Sequence, residues 1–323
     1  MKNILTYIEI KDAAPIKLSL ESLSKASELA KEKGGKSVAL IAFELADEEL
    51  AKIKAAGAEE IVLVKREAYN MEDFANIIVE VSKKYDCEDI FIPGTLDGKD
   101  LAPYAAASLD TVSITNVMDI KFEGEDVIYV TPSYGATVLT ESKIEKAPRI
   151  AVVRAGSFDK RDDLNGAGNL VEENIDEVKD LKAIIKDIVT SNEGLINLED
   201  APIIVTCGRG ASSDEIFPLV KELADAFGAP ISGTRPVIDD GVLPKASQIG
   251  QSGKIVAPSL YIGCGVSGAV QHVSGIENSN FIVAINKDED APIFNIADIG
   301  IVGDCKQVLP LLIEEVKKIK ANA

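Results

Sequence analysis

The chain has 323 residues, 46% of them hydrophobic and 27% charged, a length for about two domains and a composition of ordinary folded protein. A net charge of -19 argues against nucleic acid and anionic membrane surfaces as partners, since both repel such a chain over a Debye length. The four cysteines, Cys87, Cys207, Cys264 and Cys305, share no C-x-x-C spacing, offer no zinc or iron–sulfur cradle, and read as reduced cytosolic thiols.

The first ten residues alternate and turn acidic too early for a signal peptide, and no apolar run is long enough to cross a bilayer. The expectation is a cytoplasmic protein without membrane insertion. From residue 3 to about 110, β-branched runs at Ile4–Ile10, Ser37–Phe43, Ile61–Val64 and Asp89–Ile92 alternate with amphipathic stretches at Ile16–Lys33, Asp47–Ala56 and Met71–Tyr85. That rhythm predicts a parallel sheet with flanking helices. A further helix is expected over Asp97–Leu109.

After Thr111 the spacing becomes that of hairpins. Runs at Val117–Phe122, Val127–Thr131, Thr137–Thr140 and Arg149–Arg154 predict antiparallel strands edging the first sheet. Ser157–Glu173 reads as a loop, and a polar boundary falls near Ser191–Gly194. The domains expected are therefore 1–190 and 191–323. In the second, strands at Ile203–Thr206, Pro230–Ser232, Leu260–Gly263, Phe281–Ile285 and Ile299–Val302 alternate with helices at Ser212–Phe227 and from Lys306 to about Lys320. The serines and the acids Asp214 and Glu215 are expected to open the first of these helices. The fold class is α/β, with two mostly parallel sheets, the first carrying added antiparallel strands and the second doubly wound.

Ligands of open parallel sheets bind beyond the C-terminal strand ends. There the second domain places Gly208-Arg-Gly210, Gly233-Thr-Arg235, Cys264-Gly-Val-Ser267, Asn286-Lys-Asp288 and Gly303-Asp304. Two arginines, repeated glycines, an asparagine and an acid on one rim suit a ligand with phosphates, amide-like groups and ribose hydroxyls. A glycine turn into a helix, with Ser267 as its cap, is a recipe for holding phosphate, although such turns also simply close tight connections. The one histidine, His272, is ordinarily a packed side chain in an apolar helix, and alone it completes neither a hydrolytic triad nor a tetrahedral metal shell.

The runs Val256–His272, Ile282–Asp288 and Ala291–Asp304 resemble the electron transfer flavoprotein alpha subunit, with spacing and identity running together over residues 201–310. In the first domain Asp97-Gly-Lys-Asp-Leu-Ala-Pro103 is similar to the family's corresponding helix start. The resemblance implies a heterodimer with a beta subunit, contacted by the first domain, and one FAD bound mainly by the second. Its implied contacts are Arg209, Thr234, Arg235, Ile249, Gly250, Gln251 and Ser252. They continue through Ser267, Gly268, Ala269, Val270, Gln271 and His272 to Asn286, Asp304 and Cys305. His272 is the implied donor or cation at the N1–C2=O side of the ring, Arg235 adds positive charge, and Ser252 meets N5. Ser267 and the following amides hold the pyrophosphate, Asn286 the adenosine half and Asp304 a hydroxyl. Cys264 and Cys305 read as small fillers.

The implied function is an electron carrier from acyl-CoA-type flavoprotein dehydrogenases of fatty acid β-oxidation to a quinone reductase or another acceptor, with a hinge near Ser191–Gly194. The alternative is the alpha subunit of an NADH-dependent bifurcating flavoprotein. A nucleotide held only as a structural or regulatory ligand is the reading from another class.

Overall fold

Short β-branched runs closed by glycine or polar residues become parallel strands in this chain, and the amphipathic stretches between them become covering helices. The computed structural model describes residues 3–124, 126–134, 137–183, 198–199 and 201–321, and the chain divides into two units, Met1–Val189 and Thr190–Ala323. The hinge expected near Ser191–Gly194 lies outside the described residues.

In the first unit, β1 (Asn3–Tyr7) leads through the short hairpin of β2 (Ile10–Lys11) and β3 (Ala14–Pro15) into α1 (Lys17–Glu32). There follow β4 (Ser37–Ile41), α2 (Asp47–Ala55), β5 (Glu60–Leu63), α3 (Met71–Lys84), β6 (Cys87–Pro93) and α4 (Leu96–Ser108). Helix α3 shows how the sequence fixes a helix start. The side chain of Asn70 accepts from the amides of Glu72 and Asp73 at 3.0 and 3.2 Å, while Lys83 and Lys84 sit at the negative end. Val38–Ile41 and Ile90–Ile92 are buried on both faces, as a parallel sheet between helix layers requires.

The later strands are β7 (Ser113–Val117), β8 (Asp119–Glu123), β9 (Asp126–Ser133), β10 (Val138–Lys143), β11 (Arg149–Val153) and β12 (Asn169–Glu172). Three expectations are corrected here. The hairpin strands do not edge the first sheet; they form their own sheet, in the order β10-β9-β8. Arg149–Val153 is an inner parallel strand of the seven-stranded sheet β12-β5-β4-β1-β6-β11-β7. Finally, the region read as loop contains β12, a polar four-residue edge strand parallel to β5. The small sheet packs Ile120, Val127 and Tyr129 into the layer around α1. A buried polar cluster also anchors it. Asp89 takes two hydrogen bonds of 2.7 Å from Arg149 and one of 2.8 Å from the Tyr129 hydroxyl.

In the second unit, β13 (Ile203–Cys207), α5 (Phe217–Phe227), β14 (Ile231–Gly233), the short α6 (Arg235–Asp239) and β15 (Leu260–Cys264) come first. The single turn α7 (Val270–Val273), β16 (Ile282–Asn286), β17 (Ile299–Val302) and α8 (Cys305–Ala321) complete it. The sheet is five-stranded, in the order β14-β13-β15-β16-β17, with every pair parallel. Helix α5 begins at Phe217, later than expected. The preceding chain forms a 3-10 turn at Arg209–Ala211, and Asp214 and Glu215 fall before the helix rather than in its first turn. Among the described residues, no helix is long and apolar enough to cross a membrane.

Candidate cofactor site

The strand order fixes where a ligand has room. From β13 the chain moves outward to β14, then returns past β13 to β15 and continues through β16 to β17. The connections after β13 and β15 therefore diverge, which opens the crevice where doubly wound sheets bind ligands. Cys207 and Cys264, register partners at the ends of these strands, form its base.

Glycines make that base, but not in the manner expected. The Gly208 amide donates to the Cys264 carbonyl at 2.8 Å, and the Gly210 amide to the Gly265 carbonyl at 3.1 Å. A β-carbon on Gly208 would lie 2.2 Å from the Gly265 oxygen, and one on Gly265, whose φ is +64°, 2.6 Å from the Ala211 amide nitrogen. The bare backbones face each other rather than a ligand.

A run of unpartnered amides follows Gly265 and Val266. Ser267 is not a helix cap, because α7 starts at Val270 and its N-cap is Ala269. Gly268 adopts φ +87° and presses against Ile293, whose amide donates to the Ser267 carbonyl at 3.0 Å. Among the described residues, the amides of Ser267, Gly268, Ala269, Val270 and Gln271 donate to no acceptor. Gly268 is buried, and Ser267, Ala269, Val270 and Gln271 are exposed. Successive free amides in a turn are groups able to hold an anion, and no long helix dipole is needed for that. Asn286 holds the element in place: its Nδ2 donates to the Val266 carbonyl at 2.8 Å, and its Oδ1 accepts from Asp288. Asn286 acts here on its own chain, with both ends of its amide engaged.

The turn over Gln248–Lys254 forms the adjacent wall. Lys254 donates its amide to the Gln248 carbonyl at 2.8 Å, and Gly250, with φ +132°, passes against Gln271. The Gln251 amide donates to the Gln271 carbonyl at 2.7 Å, which joins the two walls. Ile249 and Gly250 are buried, whereas Gln251 and Ser252 face outward. The Ser252 hydroxyl accepts a 2.9 Å hydrogen bond from Nε2 of Gln248.

His272 belongs to the same joint. Its Nδ1 lies 3.2 Å from the Ile249 carbonyl and its Nε2 2.8 Å from the Tyr261 hydroxyl. A carbonyl only accepts, so Nδ1 carries the proton and Nε2 accepts from tyrosine. Burial pushes the imidazole down to about 4, so the ring is neutral near pH 7. The expectation at His272 is a donor or a cation; here the ring is neutral and both of its nitrogens are engaged by Ile249 and Tyr261. Two cations, Arg209 and Arg235, follow the ends of β13 and β14. Both are exposed, and Arg235 carries only a 3.4 Å helix-surface pair with Asp239. Neighbouring Thr234 is buried, and its amide donates to the Cys207 carbonyl.

Asp304 and Cys305 lie at the start of α8. Asp304 is exposed, and its carboxylate accepts from the Lys306 amide at 2.8 Å. Cys305 is buried with Cys207 and Cys264 in one apolar cluster, and burial pushes the Cys207 thiol up to about 12. These thiols fill space, as expected.

Sequence reading missed the buried polar partners. Tyr261 meets Thr206 as well as His272, and Thr206 lies 2.7 Å from the Ser232 hydroxyl, so a polar chain crosses three neighbouring strands. The available signal was a threonine and a serine at register-paired positions inside otherwise apolar strands. Gln248 and Lys245 gave no comparable signal.

The first unit has a corresponding crevice between β1 and β6, but its chemistry opposes phosphate. Thr95 donates to Glu9 across it at 2.5 Å, and burial together with nearby Asp100 holds the Asp97 carboxyl above its usual range.

Two family models match the chain. A family model described as electron transfer flavoprotein domain matches residues 4–179, and one described as electron transfer flavoprotein FAD-binding domain matches residues 197–277. The chain is similar to the electron transfer flavoprotein subunit alpha of Thermoanaerobacterium thermosaccharolyticum, with 36% identity over 327 residues and 99% of each chain covered. It is 37% identical over 273 residues to the protein of that name from Bacillus subtilis, with 83% of each chain covered. It is also 30% identical over 354 residues to the acryloyl-CoA reductase electron transfer subunit beta of Anaerotignum propionicum, covering 99% of this chain and 96% of that one. With these matches and its parallel sheets, the chain belongs to the electron transfer flavoprotein alpha-subunit family.

Proposed function

We propose that the second unit binds one FAD and that the protein, paired with a beta subunit through its first unit, carries electrons from acyl-CoA-type flavoprotein dehydrogenases to a quinone reductase or another acceptor. The observation that carries this reading is the run of unpartnered amides from Ser267 to Gln271 in a domain whose neighbouring strand ends lead into two exposed arginines, Arg209 and Arg235. A dinucleotide diphosphate is an anion that such amides and arginines neutralise. Exposed hydroxyl and amide groups on Ser252 and Gln251 suit the polar edge of a flavin. The bound flavin supplies the redox chemistry, and the protein supplies orientation and electrostatics.

Each residue then has a different task. The amides after Ser267 hold phosphate oxygens, Arg209 and Arg235 add positive charge, and the Ser252 hydroxyl donates to the ring. Thr234, Ile249, Gly250, His272, Asn286 and Cys305 support those groups from beneath, and Asp304 is placed to meet a ligand hydroxyl. The relative named as an acryloyl-CoA reductase subunit favours CoA-ester enzymes as redox partners. We place the protein in the cytoplasm, which suits its four unpaired, buried cysteines.

Anaerobic mixing of the heterodimer with an acyl-CoA dehydrogenase and its substrate tests the function. Bleaching of the flavin absorbance is expected. Bleaching by NADH alone, with none by the dehydrogenase, would replace this reading with the bifurcating one.

A further inference from the structure

The orientation of one side-chain amide determines what Ser252 can offer a ligand. Gln248 is 1% exposed, and its Oε1 lies 2.5 Å from the ammonium of Lys245. An ammonium has donors and no acceptor, so the atom facing it must be the amide oxygen. The amide nitrogen therefore faces Ser252, at 2.9 Å from its hydroxyl oxygen. That nitrogen can only donate, and the serine oxygen must accept. The single hydroxyl hydrogen of Ser252 is left to point elsewhere, and Ser252 is exposed.

The backbone prevents the lock from drifting. The Gln248 carbonyl accepts from the Lys254 amide at 2.8 Å, and Lys245 also reaches the Ser252 carbonyl at 3.4 Å. A β-carbon on Gly253 would lie 2.4 Å from the Gln248 carbonyl oxygen, so the turn closes tightly around the glutamine backbone.

We propose that Gln248, oriented by Lys245, is a positioning residue that commits the Ser252 hydroxyl to donate to the bound flavin. The inference rests on the reading that Ser252 faces the flavin ring. Without the lock, a serine hydroxyl can turn its hydrogen toward a neighbouring acceptor and offer the ligand only a lone pair. Gln248→Glu creates that state: a carboxylate only accepts, so it draws the Ser252 hydrogen to itself. Lys245→Met, at an exposed side chain, frees the amide to flip and has part of the same effect.

The test is a double-mutant cycle on the heterodimer, read as the midpoint potential of the bound flavin and as FAD affinity. Ser252→Ala is expected to shift the potential. Gln248→Glu is expected to shift it in the same direction, to within about twofold of the serine variant, with Lys245→Met between it and wild type. Combining Gln248→Glu with Ser252→Ala should add less than half of the single glutamate shift. A carboxylate acting only through its charge, or a general loosening of the turn, would persist in the double variant and give full additivity, which overturns the proposal. A normal potential in both Gln248→Glu and Lys245→Met, with Ser252→Ala shifted, overturns the lock alone. An unchanged potential in Ser252→Ala removes Ser252 from the flavin and overturns both readings.

Discussion

The Tyr261 hydroxyl lies 2.8 Å from Nε2 of His272, the only histidine in the chain, and occupies the ring nitrogen that the Ile249 carbonyl leaves open. With Nδ1 on the Ile249 carbonyl, the ring fastens α7 to the turn that carries Ser252. Its role in the site is mechanical before it is electrical.

This makes stability depend on pH in a defined window. The folded imidazole is pushed down to about 4, against an ordinary value of 6.5. Between those values the unfolded chain binds the extra proton, so the contribution of His272 is complete above about pH 6.5 and is lost as pH falls toward about 4. Denaturant titrations at about pH 7 and about pH 5 should show a larger drop for wild type than for His272→Gln. Equal drops would mean that the histidine is not buried neutral.

Gly265→Ala should fail at the base of the crevice. The residue needs φ +64°, and the new carbon would lie 2.6 Å from the Ala211 nitrogen. The expected cost exceeds about 1 kcal/mol of stability, with loss of retained flavin. Wild-type stability and flavin content would show that the two loops do not pack as described.

Arg235→Ala should separate binding from folding. The side chain is 69% exposed and its pair with Asp239 is a surface one, so stability should stay within about 0.5 kcal/mol of wild type. FAD affinity should fall by at least about tenfold, as expected for a hydrogen bond to a charged group. Unchanged affinity in an equilibrium titration would take Arg235 out of the site.

Much of the second sheet could be read from the sequence, because Leu260–Cys264 and Ile282–Asn286 are apolar runs closed by glycine or asparagine. What could not be read depends on long-range pairing. Asn169–Glu172 is a strand only because β5 offers it one free edge, and nothing in its polar sequence says so. The hairpin strands looked like an extension of the first sheet, whereas burial of Ile120 and Tyr129 sends them to a separate layer. Ser267 has the residue type of a cap, but Gly268 at φ +87° delays the helix to Val270. The neutral state of His272 comes from its burial in the folded chain, which no local pattern specifies.

Asp89→Ala tests the first unit independently. It removes the partner of the Tyr129 hydroxyl and the closer of two carboxylates on a buried guanidinium, leaving Arg149 only Glu88 at 3.5 Å. Breaking a buried pair from one side costs about 3–5 kcal/mol, read as a lower denaturation midpoint. A change below about 1 kcal/mol, typical of exposed pairs, would show that the cluster does not hold the small sheet.

The central claim is that the strand-end rim of the second unit holds FAD. Its most direct test is the flavin content of the purified heterodimer, released by heat and identified chromatographically, for wild type and for Gly265→Ala and Arg235→Ala. The account predicts FAD in the wild-type protein and its depletion in both variants. A colourless wild-type heterodimer that takes up no added FAD would contradict it.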